Sequence, residues 1–172
     1  MRINSSSRHQ IYILARDDSE SADGNAKSFP VGEGHFDFGA TAGKVSYLKN
    51  DWRNIKTPFL DDEEYVDPIT GTQTKLPNEE GKSQRNWAKA MHGFEILASA
   101  EFVITDRLHG HIMCTIMGIP HVLLDSKLKK NIFFHDTWTK DCDCTRVAGS
   151  FEEATEFAKM YFEKQAKEGK RL

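Results

Sequence analysis

An arginine and a histidine, Arg107 and His109, lie two residues apart where an apolar, strand-like segment gives way to an apolar helical one. A guanidinium can bind two anionic oxygens at once, and an imidazole can donate a hydrogen bond or a proton to another. The backbone N–H groups at the start of a helix also favour a negatively charged ligand. Together these groups predict a binding site for a phosphate or a carboxylate.

The flanking sequence predicts a βαβ unit that would position the two side chains. Phe102–Thr105 and Pro120–Leu124 are short apolar runs typical of buried strands, and the residues between them form an apolar helix. We expect Asp106 to cap this helix, and its buried face to carry Ile112, Met113, Ile116 and Met117. In α/β folds the strand-to-helix turn of such a unit lies at the carboxyl edge of the sheet, where ligands bind.

Arg16 follows another apolar run, Gln10–Ala15, which predicts a buried parallel strand. If both strands belong to one parallel sheet, Arg16 and Arg107 emerge at the same edge, and two cations there suit a doubly charged or two-headed anion. The alternative is that each arginine forms an ion pair with an acidic neighbour. The candidate neighbours are Asp17 or Asp18 for Arg16, and Asp106 or Glu20 for Arg107.

The 172 residues predict a single α/β domain over residues 1–172, with a Rossmann-like parallel sheet flanked by helices. Residues 21–44 lack a steady hydrophobic period and predict a long loop, and residues 50–82 predict an irregular insertion. Order returns at Ser83, which we expect to cap a helix. The buried face of this helix is predicted to carry Trp87, Ala90, Met91, Phe94 and Leu97.

Composition excludes several classes of protein. The formal net charge of −3 argues against general nucleic-acid binding, and no run of about 18 apolar residues is present to span a membrane. The first ten residues lack the apolar stretch of a signal peptide. Neither a glycine-rich phosphate loop nor a G-x-S-x-G nucleophile motif occurs.

The three cysteines do not predict a metal site. Cys142 and Cys144 form a C-D-C motif, but no second pair of ligands at suitable spacing accompanies them. Cys114 lies in the apolar helical segment and is expected to be a buried thiol. Reduced thiols are therefore the default expectation for all three.

Two segments resemble the polysaccharide pyruvyl transferase family. Over Ala100–Ser126 the chain carries a strand ending in T-D-R-L-H-G-H, an apolar helix and then G-I-P-H-V-L-L-D. Arg16, Asp18, Glu20 and Ser21 resemble a shorter family pattern, R-x-D-x-E-S, in which a lysine is common where this chain has Ser19.

The resemblance implies an enzyme that transfers the enolpyruvyl skeleton of phosphoenolpyruvate to a sugar and forms a pyruvate ketal. It implies a fold similar to the C-terminal half of a GT-B enzyme, with a separate N-terminal domain that helps to bind the saccharide acceptor. Arg107 and His109 would then be catalytic, with His109 stabilising the departing phosphate. Donor binding would involve Arg16, Arg107, Leu108, His109 and Gly110, without a cofactor or a metal.

Two other functions stay open from the sequence. A GT-B glycosyltransferase would place the diphosphate of a nucleotide sugar at the same helix start, and a truncated domain would bind anions without catalysis. The compartment also stays open. The candidates are the cytoplasm or, if a full-length protein carries an anchor, the Golgi.

Overall fold

A computed structural model of the chain describes residues 9–16, 21, 31–54, 65–66, 73–74 and 78–169. Its main sheet has six strands in the order β2-β3-β1-β6-β7-β8. The strands are β1 (His9–Leu14), β2 (Gly32–Asp37), β3 (Lys44–Asn50), β6 (Ala100–Thr105), β7 (His121–Leu124) and β8 (Thr145–Ala148). All neighbouring strands pair in parallel except β2, which is an antiparallel edge strand. The predicted α/β class with a mainly parallel sheet is confirmed.

The remaining elements surround this sheet or extend from it. They are α1 (Gly39–Ala42), a 3-10 turn (Trp52–Asn54), a small hairpin of β4 (Tyr65–Val66) and β5 (Gln73–Thr74), α2 (Asn78–Ala98), α3 (Leu108–Met117), α4 (Lys130–Phe134), a π-helical turn (His135–Thr139) and α5 (Phe151–Lys167). No helix in the described part of the chain is long and apolar enough to cross a bilayer.

The central strands are apolar throughout because both faces of the sheet are covered. Ile11 and Ile104 belong to one core cluster with Phe162 of α5, whereas Tyr12 and Val103 belong to a second cluster on the other face. Such two-sided burial explains why β1 and β6 could be predicted as continuous apolar runs. The Ser150 hydroxyl accepts the Glu153 N–H at 3.1 Å and caps α5 as a short polar side chain does at a helix start.

The face that α3 buries agrees with the predicted one only in part. Met113 and Met117 pack against the second core cluster, but Ile116 is 69% exposed, and Gly110, His111 and Cys114 are buried instead. A Cβ atom on Gly110 would lie 2.7 Å from Leu14 Cδ2 and 2.9 Å from Thr105 Oγ1. Helix α3 therefore approaches the sheet most closely at Gly110. This contact places the side of the helix that carries Gly110 and Cys114 against the sheet.

Two other predictions about the elements were wrong. The predicted loop over residues 21–44 contains β2 and α1, and β2 has few of the β-branched residues that mark a strand. Helix α2 begins at Asn78, so Ser83 lies inside it. Of its predicted buried face, Leu97 is buried, whereas Trp87 and Met91 are exposed. Within the predicted insertion the structure describes Asn50, Asp51, the 3-10 turn, the β4–β5 hairpin and the first residues of α2; the rest lies outside the described residues.

A chain of buried hydrogen bonds links α3 to the amino ends of β7 and β8. His121 Nδ1 lies 2.7 Å from the Ile119 carbonyl oxygen, which can only accept, so His121 Nε2 accepts from His111 Nδ1 at 2.8 Å. His111 Nε2 then accepts the Thr139 hydroxyl at 2.8 Å, and the same hydroxyl oxygen accepts from His135 Nδ1 at 3.0 Å. One set of neutral tautomers therefore satisfies the whole chain.

Burial makes this chain sensitive to acid. Burial, with a smaller effect of His121 and His135, lowers the pKa of His111 to about 4. Burial also lowers the pKa of His121 to about 4; the hydrogen bond to Ile119 opposes this shift and His135 adds to it. The unfolded chain takes up these protons near pH 6.5, so the two imidazoles lower the free energy of unfolding as the pH falls from about 6.5 to 4. Asp106 acts in the opposite sense, because burial raises its pKa to about 6 and the folded chain takes up its proton first.

We predict that His121→Asn reduces the loss of stability between pH 7.5 and pH 5, because one buried imidazole is removed. At pH 7.5 the variant should itself be less stable by about 1–3 kcal/mol, since His111 Nδ1–H loses its acceptor. Urea unfolding at both pH values checks the difference. His35→Asn, on the exposed side of β2, should behave like the wild type. Equal pH dependence for His121→Asn and the wild type would contradict this assignment.

Candidate functional site

The carboxyl ends of β1, β3 and β6 come together at one edge of the sheet. Leu14 of β1 is in register with Asn50 of β3 on one side and with Thr105 of β6 on the other. The residues that follow these three strands are therefore neighbours, although they are far apart in the sequence. They include Arg16 after β1, Asp51 after β3, and Asp106 and Arg107 after β6. The prediction that Arg16 and Arg107 emerge at the same edge agrees with this register.

Arg107 is held by an ion pair with Asp51. Nη2 of the guanidinium donates to both carboxylate oxygens of Asp51. The side chains are 13% and 2% exposed, so both charges are largely removed from water. Of the acidic partners considered from the sequence, Asp106 lies beside Arg107 but does not form this pair, and Glu20 lies outside the described residues. Asp51 fixes the direction in which the planar guanidinium points.

Asp106 was predicted to cap α3, and this prediction was wrong. The N-cap residue is Arg107, without a side-chain cap, and Asp106 lies one residue too early to reach the helix N–H groups as a cap does. Its Oδ1 instead accepts the backbone N–H of Arg16 at 2.8 Å, across the ends of β1 and β6. Thr105 ties the same strands, since its hydroxyl donates to the Leu14 carbonyl at 2.9 Å and accepts the Arg107 N–H at 3.0 Å.

Asn131 of α4 fixes the next strand end in the same way. Its Nδ2 donates to the Asp106 and Leu124 carbonyl oxygens, each at 2.8 Å, and so joins the ends of β6 and β7. Asn131 Oδ1 and the Ser126 hydroxyl are buried, and among the described residues neither has a hydrogen-bond partner. Unsatisfied buried polar atoms are rare, so this edge retains polar groups that a ligand or water can satisfy.

Among the described residues, the edge carries more positive than negative charge. Three cations, Arg16, Lys49 and Arg107, accompany two carboxyl groups, Asp51 and Asp106, and all except Arg107 are buried. Burial raises the pKa of Asp106 to about 6; the Arg16 N–H and the charges of both arginines oppose this rise, and Asp51 adds to it. Burial also lowers the pKa of Lys49, against the effect of Asp106. When Asp106 is protonated, the positive excess grows, which favours an anion.

The three residues after Arg107 occupy the first turn of α3. Leu108 begins the helix half-buried, and His109 follows with an exposed side chain. Gly110 is buried against Leu14 and Thr105, which lets the helix start approach the strand ends closely. The first i to i−4 hydrogen bond of the helix runs from His111 N–H to the Arg107 carbonyl at 3.0 Å, so the preceding N–H groups have no partner within the helix. The assignments of these residues to donor binding remain predictions.

Sequence reasoning missed Asp51 and Lys49. Asp51 lies 56 residues before Arg107 and inside the predicted insertion, where acidic residues are most simply explained as solvated. Only their place in the sequence could have indicated a role, because both lie at the end of the segment that forms β3. Among the described residues no three histidine, cysteine, aspartate or glutamate side chains are grouped to hold a metal ion.

Two comparisons with known proteins identify the family of the chain. The family model described as polysaccharide pyruvyl transferase matches residues 43–127. Over 141 residues, 81% of its length, the chain is 31% identical to Pyruvyl transferase 1 of Schizosaccharomyces pombe (strain 972 / ATCC 24843).

The chain belongs to the polysaccharide pyruvyl transferase family. The range matched by the family model contains Lys49, Asp51 and the segment Asp106–Gly110, whereas Arg16 and Asn131 lie outside it. The chain spans 30% of the length of the Schizosaccharomyces relative. The buried ion pair thus lies inside the part that the family model describes.

We predict that Asp51→Asn destabilises this family member by about 3 kcal/mol and weakens anion binding, because it leaves a mostly buried guanidinium without its counter-charge. Thermal unfolding with and without phosphoenolpyruvate measures both effects. Glu156→Gln provides the control, since it breaks a solvent-exposed pair with Lys159 and should change stability by less than about 1 kcal/mol. An Asp51→Asn variant as stable as the control variant would show that the ion pair does not organise the site.

Proposed function

We propose that this chain binds phosphoenolpyruvate at the carboxyl edge of β1, β3 and β6, and that it forms the donor-binding part of a pyruvyl transferase. The observation that carries the proposal is the convergence of three largely buried cations, among the described residues, at that edge, with Arg107 oriented by Asp51. Family membership supports pyruvyl transfer to a polysaccharide as the reaction. The donor, the ketal product and the residue roles below are inferred from chemistry.

Phosphoenolpyruvate matches the site because it is a small anion with two charged ends. A carboxylate and a phosphate can each be bound by an arginine, and Arg16 and Arg107 follow adjacent strands. The first turn of α3 adds backbone N–H groups and the exposed imidazole of His109. Because the cations are largely removed from water, their attraction for an anion is stronger than at an open surface.

Ketal formation then proceeds in three balanced changes. The methylene carbon of the donor gains a proton, and a sugar hydroxyl bonds to the neighbouring carbon and loses its proton. Phosphate leaves from that carbon, and a second sugar hydroxyl replaces it, losing its own proton as the ring closes. In this scheme Arg107 and the helix N–H groups stabilise charge on the departing phosphate, and His109 donates a hydrogen bond or a proton to it.

We predict that phosphoenolpyruvate raises the melting temperature of the 172-residue chain and that uridine diphosphate glucose at equal concentration does not. Titration calorimetry with both compounds gives the affinities. His109→Ala should weaken phosphoenolpyruvate binding by about tenfold without loss of stability, because the side chain is exposed. His35→Ala, at another exposed position, should bind like the wild type. Preference for the nucleotide sugar would support a glycosyltransferase instead, and binding of neither compound would refute donor binding by this chain.

In a protein that contains the whole enzyme, His109→Ala should lower kcat for ketal formation by at least about 100-fold. Arg107 is best tested with a double variant, because its removal alone takes away the guanidinium that is paired with the buried Asp51 carboxylate. Arg107→Gln combined with Asp51→Asn should fold and lack transfer, whereas Asp51→Asn alone should retain part of it. Normal turnover by His109→Ala and by the double variant would overturn the assigned roles.

A further inference from the structure

The C-D-C motif brings two thiols together at the amino edge of the sheet, opposite the site described above. Cys142 Sγ and Cys144 Sγ lie 3.0 Å apart in the turn between the π-helical segment and β8. The Cys142 N–H donates to the Thr139 carbonyl at 3.0 Å, and the Cys144 carbonyl accepts the His121 N–H at 2.8 Å. Both thiols are half-buried, so the turn holds them near each other while they remain reachable from solvent.

The surroundings favour thiol chemistry over metal binding. Among the described residues no third histidine, cysteine or carboxylate joins the pair in a group that could hold a metal. Cys114, the remaining cysteine, is fully buried, and burial raises its thiol pKa far above the ordinary value. Cys142 and Cys144 are therefore the reactive cysteines of the chain.

The two thiols differ in a way that assigns them different tasks. Hydrogen bonds from the Cys144 thiol and from its backbone N–H lower the pKa of Cys142, whereas burial, followed by the contact with Cys142, raises the pKa of Cys144 to about 11. A thiolate is the attacking form in thiol–disulfide exchange, so Cys142 is the nucleophile of the pair.

A cavity of about 350 Å³ opens beside the pair, between β8 and α5. Cys144 lines it together with two cationic side chains, Arg146 and Lys164, one carboxylate, Asp143, and the apolar groups of Met160 and Tyr161. This lining carries one more cation than carboxylate, which suits a disulfide that carries carboxylates, such as oxidised glutathione. Charge therefore favours an anionic disulfide as the oxidant, and the cavity gives part of it access to the pair from the Cys144 side.

We propose that Cys142 and Cys144 form a redox-active dithiol that oxidised glutathione converts to an intramolecular disulfide. The Cys142 thiolate attacks one glutathione sulfur, forms a mixed disulfide and releases a glutathione thiolate, which takes up a proton. The Cys144 thiol then loses its proton and attacks Cys142 Sγ, which forms the Cys142–Cys144 bond and releases the second glutathione. Two electrons pass from the protein to the oxidant, and two glutathione thiols leave.

Tryptic digestion after exposure of the folded chain to oxidised glutathione tests the proposal. Cleavage after Lys140 and Arg146 places both cysteines in the single peptide Asp141–Arg146, separate from Cys114. We expect this peptide to lose two hydrogens, to carry no glutathione, and to regain the hydrogens on reduction. In the reduced chain at pH 8, Cys142 should react with iodoacetamide at least about tenfold faster than Cys144.

Single variants separate the two tasks. Cys144→Ser should accumulate glutathione on Cys142, because no second thiol resolves the mixed disulfide, and Cys142→Ser should react far more slowly. Cys114→Ser is the control and should oxidise like the wild type. A wild-type peptide that stays reduced, retains glutathione or crosslinks two chains would overturn the proposal, and none of these results depends on the donor site. The wild-type measurement also stands if a variant fails to fold.

Discussion

The ion pair between Arg107 and Asp51 is the constraint on which the proposed site depends. A guanidinium that is 13% exposed, at the end of a central strand, is stable only with a counter-charge, and Asp51 supplies it from the end of β3. The pairing joins two strand ends that flank β1, so it holds the edge together and orients the cation. A ligand that reaches this edge therefore meets a guanidinium whose direction is already fixed by Asp51, not a mobile side chain.

Hydrogen bonds from neighbouring strands extend this order across the edge. Thr105 and Asp106 connect β6 to β1, and Asn131 connects β6 to β7. Asp106 is also the group whose charge responds to pH near 6, because burial opposes its ionisation while the arginines favour it. The site thus gains positive charge as the pH falls through this range, and the same change increases its attraction for an anion.

The sequence was sufficient where local pattern decides structure. β1, β6 and β7 were predicted from short apolar runs, and the T-D-R-L-H-G-H segment was predicted to lie at a strand-to-helix turn, where the structure has it. It was insufficient where contacts are distant. Asp51 and Arg107 meet only because β3 and β6 both pair with β1, and Ile116 is exposed because Gly110 decides which face of α3 approaches the sheet. Likewise, His111 and His121 lie ten residues apart in the sequence, and only the fold shows that they form one buried chain with Thr139.

A crystal structure of the chain with bound phosphoenolpyruvate tests the central claim most directly. We expect the donor at the carboxyl edge, with its phosphate within hydrogen-bond distance of the Arg107 guanidinium and the His109 side chain, and with Asp51 still paired to Arg107. A donor bound elsewhere, or an Arg107 guanidinium that makes no contact with the bound donor, would contradict the account.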